Sequence, residues 1–163
     1  MTGRVKARRK RSAHPVSKQR LRLWVRLLRS ARAIEAELRE RLRVEFAITL
    51  PQFDVVAALA RKEEGMTMTE LSRFLMVSNG NVTGIIDRLV ADRLVLRQAP
   101  ADDRRAFVVR LTPKGVSQFA IIAKVHRGWV DDLLSDFDSA EVETMIQHLD
   151  GLASRIRRAG ARA

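Results

Sequence analysis

A mainly α-helical fold interrupted by one small β-hairpin is predicted by three observations. Apolar residues recur at helical spacing near both ends of the chain, helix-capping patterns crowd its middle, and two short β-branched or apolar runs flank an acidic, proline-containing turn. Their order is long helix, helix, helix, turn, helix, charged hairpin, then two more helices. That is the order of a winged helix-turn-helix with a small β-hairpin wing, flanked by long N- and C-terminal dimerisation helices.

Each element has its own justification. Residues 1–16 form a basic tail containing Arg4, Lys6, Arg8, Arg9, Lys10 and Arg11, with no acid and little apolar content, and are expected to be disordered. Such a tail either aids solubility or adds phosphate contacts without sequence information. Ser17 is expected to cap a helix from about Lys18 to about Phe46, along which Leu27, Ala31, Ile34, Leu38 and Leu42 form an apolar stripe. Thr49 caps a second helix opened by Leu50 and Pro51, with Phe53, Val56, Ala57 and Ala60 as its expected buried face and Gly65 ending the segment. Thr67 and Glu70 make a capping box for a short helix carrying Leu71, Phe74 and Leu75. A turn at Met76 and Val77 leads to Ser78, the cap of the next helix.

That helix, from about Asn79 to about Asp92, turns Val82, Ile85, Ile86 and Leu89 inward. Asn79, Gly80, Asn81, Thr83, Gly84 and Arg88 then face outward. Asparagine pairs with adenine in the major groove, threonine meets a base edge or a thymine methyl, and Arg88 reaches a phosphate or guanine. Two glycines within one helix cost roughly 1 kcal/mol each relative to alanine, and close approach of the backbone to DNA is a reason to bear that cost. The hairpin follows, Leu94 to Gln98 and Phe107 to Leu111, with Asp103, Arg104 and Arg105 in the intervening segment. An arginine at such a tip suits a narrow minor groove, where the negative potential is strongest.

Beyond the hairpin, Thr112 caps a helix begun by Pro113 and running to about Phe137. Asp138 or Ser139, with Glu141 or Glu143, opens a last helix whose Val142, Met145, Ile146, Leu149, Leu152 and Ile156 form one stripe. A stripe that regular needs a partner, and an isologous homodimer through residues 17–48 and 113–158 is the expected one, with residues 49–112 as the DNA-binding domain.

Composition excludes several classes of function. The net charge is +12, but residues 1–50 hold 15 Lys/Arg against 4 Asp/Glu and residues 51–163 hold 16 against 15, so the excess sits at one end. Cysteine is absent, which removes disulfides, thiol sensing and thiolate-ligated metals. His14, His126 and His148 are too scattered to read as a metal set and are expected to be solvated or capping. No phosphate loop, nucleophile elbow or catalytic trio appears, so neither a cofactor nor an enzymatic activity is expected. No apolar run approaches the roughly 20 residues of a membrane span, and the basic amino terminus lacks a signal-like apolar stretch, so a cytoplasmic location is expected.

The stretch from about Leu50 to Gly115 resembles the MarR family of bacterial transcription regulators. The family's Asp-x-Arg, five residues, Leu-Thr-x-x-Gly signature is matched by Asp103, Arg105, Leu111, Thr112 and Gly115, and the similarity of element order extends over about residues 18–158. The resemblance implies an obligate homodimer on a palindromic double-stranded operator, with Arg105 in the minor groove, Asp103 orienting it and Arg104 on a phosphate. Gly80 and Gly84 depart from the family's commoner polar residues. The resemblance also implies a cleft for small aromatic carboxylates. Candidates for such an effector are Trp24 and Trp129 as aromatic walls, with Phe46, Phe53 and Phe74 nearby, and Arg22, Arg26, Arg29 or Arg32 as anion partners. That many arginines would suit a phosphate-bearing acyl thioester of coenzyme A. A ligand-released repressor is the leading expectation, and an architectural DNA-binding protein with little sequence preference is the alternative.

Overall fold

The computed structural model of the chain describes residues 15–99 and 107–160, without the side chains of Pro15 and Asn79. In chain order the described residues form α1 (Pro15–Phe46), α2 (Leu50–Leu59), β1 (Met66–Thr67), α3 (Met68–Leu75), α4 (Asn79–Ala91), β2 (Val95–Gln98), β3 (Val108–Leu111), α5 (Pro113–Leu133) and α6 (Ser139–Gly160). The strands make an antiparallel sheet of order β1-β3-β2, with Val95 opposite Leu111 and Gln98 opposite Val108. The two-residue β1, which sequence periodicity does not reveal, pairs Met66 with Val109.

Two adjoining cores hold these elements. One gathers Val55 and Leu59 of α2, Leu71 of α3, Val82, Ile86 and Leu89 of α4, and Val95 and Val109 of the sheet. The other joins Leu38 and Leu42 of α1 to Ile48, Phe53 and, from α5, Ile122 and Trp129. Burial of the α4 stripe is complete at Val82, Ile86 and Leu89, so the rotation of α4 about its axis is fixed by apolar packing.

The expected caps are present. Thr49 accepts from the Gln52 amide while the Gln52 side chain accepts from the Thr49 amide, and Thr67 and Glu70 do the same for α3. Ser78 accepts from the Asn81 amide at the start of α4. Asp138 and Glu141 exchange backbone and side-chain bonds at the start of α6. Three sequence expectations need correction. Helix α1 already runs through Ser17, so Ser17 is not its cap; Pro15 opens it, where a missing amide proton costs nothing. Phe74 is half exposed because α3 is two turns long and turns only Leu71 fully into the core. Ala60 is exposed because α2 ends at Leu59 and buries Gln52, Val55 and Leu59 instead.

Glu70 links this cap to pH. Its carboxylate accepts from Lys62 Nζ at 2.8 Å and from the Thr67 amide at 2.8 Å, and the Lys62 bond, then the Thr67 bonds, lower its pKa from 4.5 to about 2. A pKa depressed by folding stabilises the folded state above the unfolded value and ceases to do so as pH falls through the folded value. The stability gap between the wild type and Glu70→Gln is therefore expected to be full above about pH 4.5 and to close by about pH 2. Urea midpoints across that range check it; a gap independent of pH contradicts it.

The two long ends stand apart from both cores. No residue of α6 is buried. Along α1, Leu38 and Leu42 are buried, Leu27 and Ile34 are partly covered, and Leu21, Leu23 and Trp24 are exposed.

Candidate nucleic-acid interface

The buried stripe of α4 dictates what its other side presents. Gly80, Asn81, Thr83, Gly84 and Arg88 are all exposed, as their spacing predicts. A Cβ built on Gly80 or Gly84 meets no heavy atom within 4 Å, so neither glycine is needed for packing inside this chain. Both therefore leave a shallow strip on the helix surface, flanked by Asn81, Thr83 and Arg88. The side chain of Asn79 lies outside the described residues. So do Asp103, Arg104 and Arg105, in the segment between β2 and β3.

Asp87 belongs to the same outward face and was missed by the sequence reading, although its place four residues after Thr83 was a usable signal. Its carboxylate accepts from Arg97 Nη2 of β2 at 2.6 Å. The pair ties α4 to the wing strand and neutralises a carboxylate on the outward face. Arg110 of β3 makes a second tie, donating from Nε to the Glu64 carbonyl at 2.7 Å. Exposed pairs contribute little stability. Arg97→Ala is thus expected to shift the melting temperature by only a degree or two, and to lower operator affinity about tenfold by freeing both the wing and the Asp87 charge. Equal binding by variant and wild type in a fluorescence-anisotropy titration would contradict this.

The wing is also anchored at its base. Thr112 Oγ1 donates to the Arg93 carbonyl at 2.7 Å and accepts from the Gly115 amide at 3.0 Å, while Lys114 Nζ donates to the Asp92 carbonyl at 2.9 Å. Arg93 has a φ of 59°, the left-handed turn that ends α4 and lets the chain reverse into β2. The Leu-Thr-x-x-Gly half of the sequence signature is accordingly a clamp joining the end of α4 to the start of α5.

Beside α4 lies a groove of about 970 Å³ lined by Arg39 and Arg43 of α1, Pro51 of α2, and Asn81, Gly84 and Arg88 of α4. Arg39 adds basic character next to the outward face, while Arg43 donates to the Glu40 carboxylate. Sequence reasoning did not find them, because 41 residues separate Arg43 from Gly84.

The aromatic candidates are divided by the fold. Phe46 and Trp129 lie with ring centroids 6.0 Å apart, and Phe53 is 5.9 Å from Phe119 and stacks on His126 at 4.5 Å. His126 is therefore half-buried on Phe53 rather than a cap or a freely solvated side chain, and that burial lowers its pKa from the ordinary histidine value. A cleft of about 430 Å³ opens between Phe53, Phe119 and His126, with Arg61 and Arg127 at its edge. Trp24 is 58% exposed on α1, and at about 1.5 Å per helical residue it lies roughly 33 Å along the axis from Phe46. Arg22, Arg26, Arg29 and Arg32 are exposed on that same outer half. One chain does not bring them to the aromatic cluster.

Among the described residues, no group of three metal-binding side chains occurs, and no helix is long and apolar enough to cross a membrane. A capped helix-turn-helix, a three-stranded wing and a bare outward face on the second helix define a winged helix-turn-helix DNA-binding protein. Comparison with known proteins agrees. A model described as the MarR family matches residues 48–106. The transcriptional activatory protein BadR of Rhodopseudomonas palustris is 31% identical over 130 residues, which are 78% of this chain and 69% of BadR. A MarR family transcriptional regulator from Silicibacter pomeroyi superimposes with a TM-score of 0.76 at 28% identity, over 88% of this chain and 99% of that one. The regulator BldR from Sulfolobus solfataricus gives 0.76 at 26% identity over the same shares. The chain belongs to the MarR family and is a DNA-binding transcriptional regulator, not an enzyme.

Proposed function

We propose that the protein acts as a homodimer that reads a palindromic operator with two copies of α4. Asn79, Gly80, Asn81, Thr83, Gly84 and Arg88 face the major groove, and Asp103, Arg104 and Arg105 carry the wing to the flanking backbone and minor groove. The observation that supports this reading most is the outward face of α4, where Gly80, Asn81, Thr83, Gly84 and Arg88 are exposed over an apolar stripe that is completely buried at Val82, Ile86 and Leu89. Side chains reach base edges from such a face, and the open glycines let the helix backbone sit close to the duplex. Two-fold pairing is supported by the apolar surface left on α6 and on the first half of α1, where Trp24, Met145, Ile146, Leu149 and Leu152 are each between 41% and 58% exposed.

The dimer releases its operator on binding a small aromatic carboxylate or its coenzyme A thioester. Phe53, Phe119 and His126 supply the walls, and Arg61 and Arg127 an anion edge, between the helices that would pair and the winged domain. The arginines of α1, Arg22 and Arg26 among them, would meet the phosphates of a thioester. Such release requires the effector to favour an arrangement in which the two α4 helices no longer match the operator. Repression results where the operator overlaps a promoter, and an activatory role like that named for BadR results from the same binding upstream of one.

Replacing Arg105 by Ala is expected to weaken operator binding by about 1 kcal/mol or more, roughly fivefold, while leaving the dimer intact. An unchanged dissociation constant would remove the wing from this reading.

A further inference from the structure

The turn between α3 and α4 carries apolar side chains that the fold does not use. Phe74, Met76 and Val77 are 50%, 91% and 39% exposed, and Met76 is the most exposed large apolar side chain among the described residues. It belongs to neither core. Its backbone is left-handed, with φ 54° and ψ 37°, where α3 ends. Glycine ordinarily takes such a position, because a Cβ there crowds the following carbonyl. A methionine at this point strains the backbone and buries nothing in return, so packing within the chain does not account for it.

The position of the turn limits what its tip can meet. Ser78, two residues on, accepts from the Asn81 amide at the start of α4, and two residues of chain span at most about 7 Å. Val77 lines the same groove as Asn81, Gly84 and Arg88. In a docked helix-turn-helix the N-terminal residues of the second helix are the ones that approach base edges. A turn this close to them stands at the rim of the same major groove. A methionine side chain has neither a charge nor a donor to offer a phosphate. It does suit the C5 methyl of thymine, the apolar group that base edges present in the major groove. Its unbranched, polarisable chain adapts to such a group without a fixed direction of approach.

We propose that Met76, with Val77 beside it, is a specificity-determining contact that selects thymine by its C5 methyl at the rim of each half-site. This rests on operator reading by α4 and adds a base preference supplied by the turn rather than by the helix. The left-handed backbone has a use in this arrangement, since it holds the side chain out of the chain's own cores. Burying one methyl amounts to roughly fourfold in affinity. A dimer with one such contact in each half-site therefore gains about tenfold for an operator that carries thymine at both positions.

A cycle that deletes the methionine and the methyl separately tests the contact. The full-length wild type, Met76→Gly and Met76→Leu are titrated by fluorescence anisotropy against the chain's own upstream duplex, the same duplex with every thymine replaced by deoxyuridine, and a shuffled duplex. Deoxyuridine keeps the base pair and removes only the methyl. Met76→Gly should bind the thymine duplex about tenfold more weakly than the wild type, and the two should agree within about twofold on the deoxyuridine duplex. Met76→Leu, which keeps an apolar tip, should stay within about threefold of the wild type on both. The melting temperature of Met76→Gly should not fall, because glycine accepts the left-handed backbone, so a loss of binding cannot be a loss of fold. Equal binding of the thymine duplex by Met76→Gly and the wild type overturns the proposal. So does an equal loss on both duplexes, which places the contact elsewhere, or a changed association state of Met76→Gly in sedimentation, which gives the tip to a second copy. A wild type that does not prefer the upstream duplex to the shuffled one overturns the operator reading itself, and this contact with it.

Discussion

Replacing Leu149 by Glu is expected to convert the protein to monomers and to reduce operator affinity by about a hundredfold or more. Leu149 sits at the middle of the α6 stripe and is 49% exposed in the single chain, so the substitution leaves the chain's own cores untouched. If that surface were simply solvated, the change would fall within about 0.5 kcal/mol. In a buried seam, the same carboxylate loses its hydration without a partner, at a cost of several kcal/mol, which exceeds what the remaining contacts of one stripe supply. A monomer then holds one half-site and loses the second as an intramolecular event. Sedimentation velocity, anisotropy titration and far-UV circular dichroism on one sample separate the outcomes. Native helicity with monomers and weak binding is the expected result; an intact dimer contradicts the assignment of the α6 stripe.

The second large effect contrasts two helical glycines. Gly115→Ala places a Cβ well inside contact distance of the Leu94 backbone carbonyl, against the clamp in which Thr112 accepts from the Gly115 amide. A backbone carbonyl just before β2, already accepting from the Thr112 amide at 3.0 Å, cannot move aside as a side-chain tip can, so a destabilisation of about 2–4 kcal/mol is expected, where alanine in a helix would ordinarily stabilise. Gly84→Ala should behave in the opposite way. Its Cβ meets nothing within 4 Å, so the fold should gain about 1 kcal/mol while operator affinity falls, because that methyl group stands between the helix and the duplex. Thermal melts and binding titrations of the two variants check both signs. A Gly84→Ala protein that gains stability and binds as tightly as the wild type would show that the bare strip is not a contact surface.

Much of this architecture was legible because caps and periodicity are local. Thr49, Thr67, Ser78 and Thr112 each mark a helix start within the four residues that follow, and the α4 stripe gives its own rotation. The hairpin was legible because Leu94 to Gln98 and Phe107 to Leu111 are short runs of matched length, rich in β-branched or apolar residues, on either side of a turn. What was not legible depends on tertiary placement. The two-residue β1 exists only because β3 supplies its partner. Phe74 has the composition of a core residue and the position of a surface one, since the short α3 has room for one buried side chain. Asp87 and Arg97 are ten residues apart across a turn whose geometry no periodicity encodes. The effector candidates show the same limit in part: that Trp24 stands far out along α1 follows from the length of that helix, but that Phe53 would meet His126 and Phe119 depends on how α2 and α5 cross.

The central claim is sequence-selective DNA reading by paired α4 helices, as distinct from charge-driven binding without preference. Titrating the protein against its own upstream duplex and a shuffled duplex of equal length and composition, across a salt series, tests it most directly. The expected result is two chains per specific site and a specific-to-shuffled affinity ratio of about a thousandfold or more that persists as salt weakens both. Equal affinities for the two duplexes, falling together with salt, would contradict it and would describe an architectural DNA-binding protein instead.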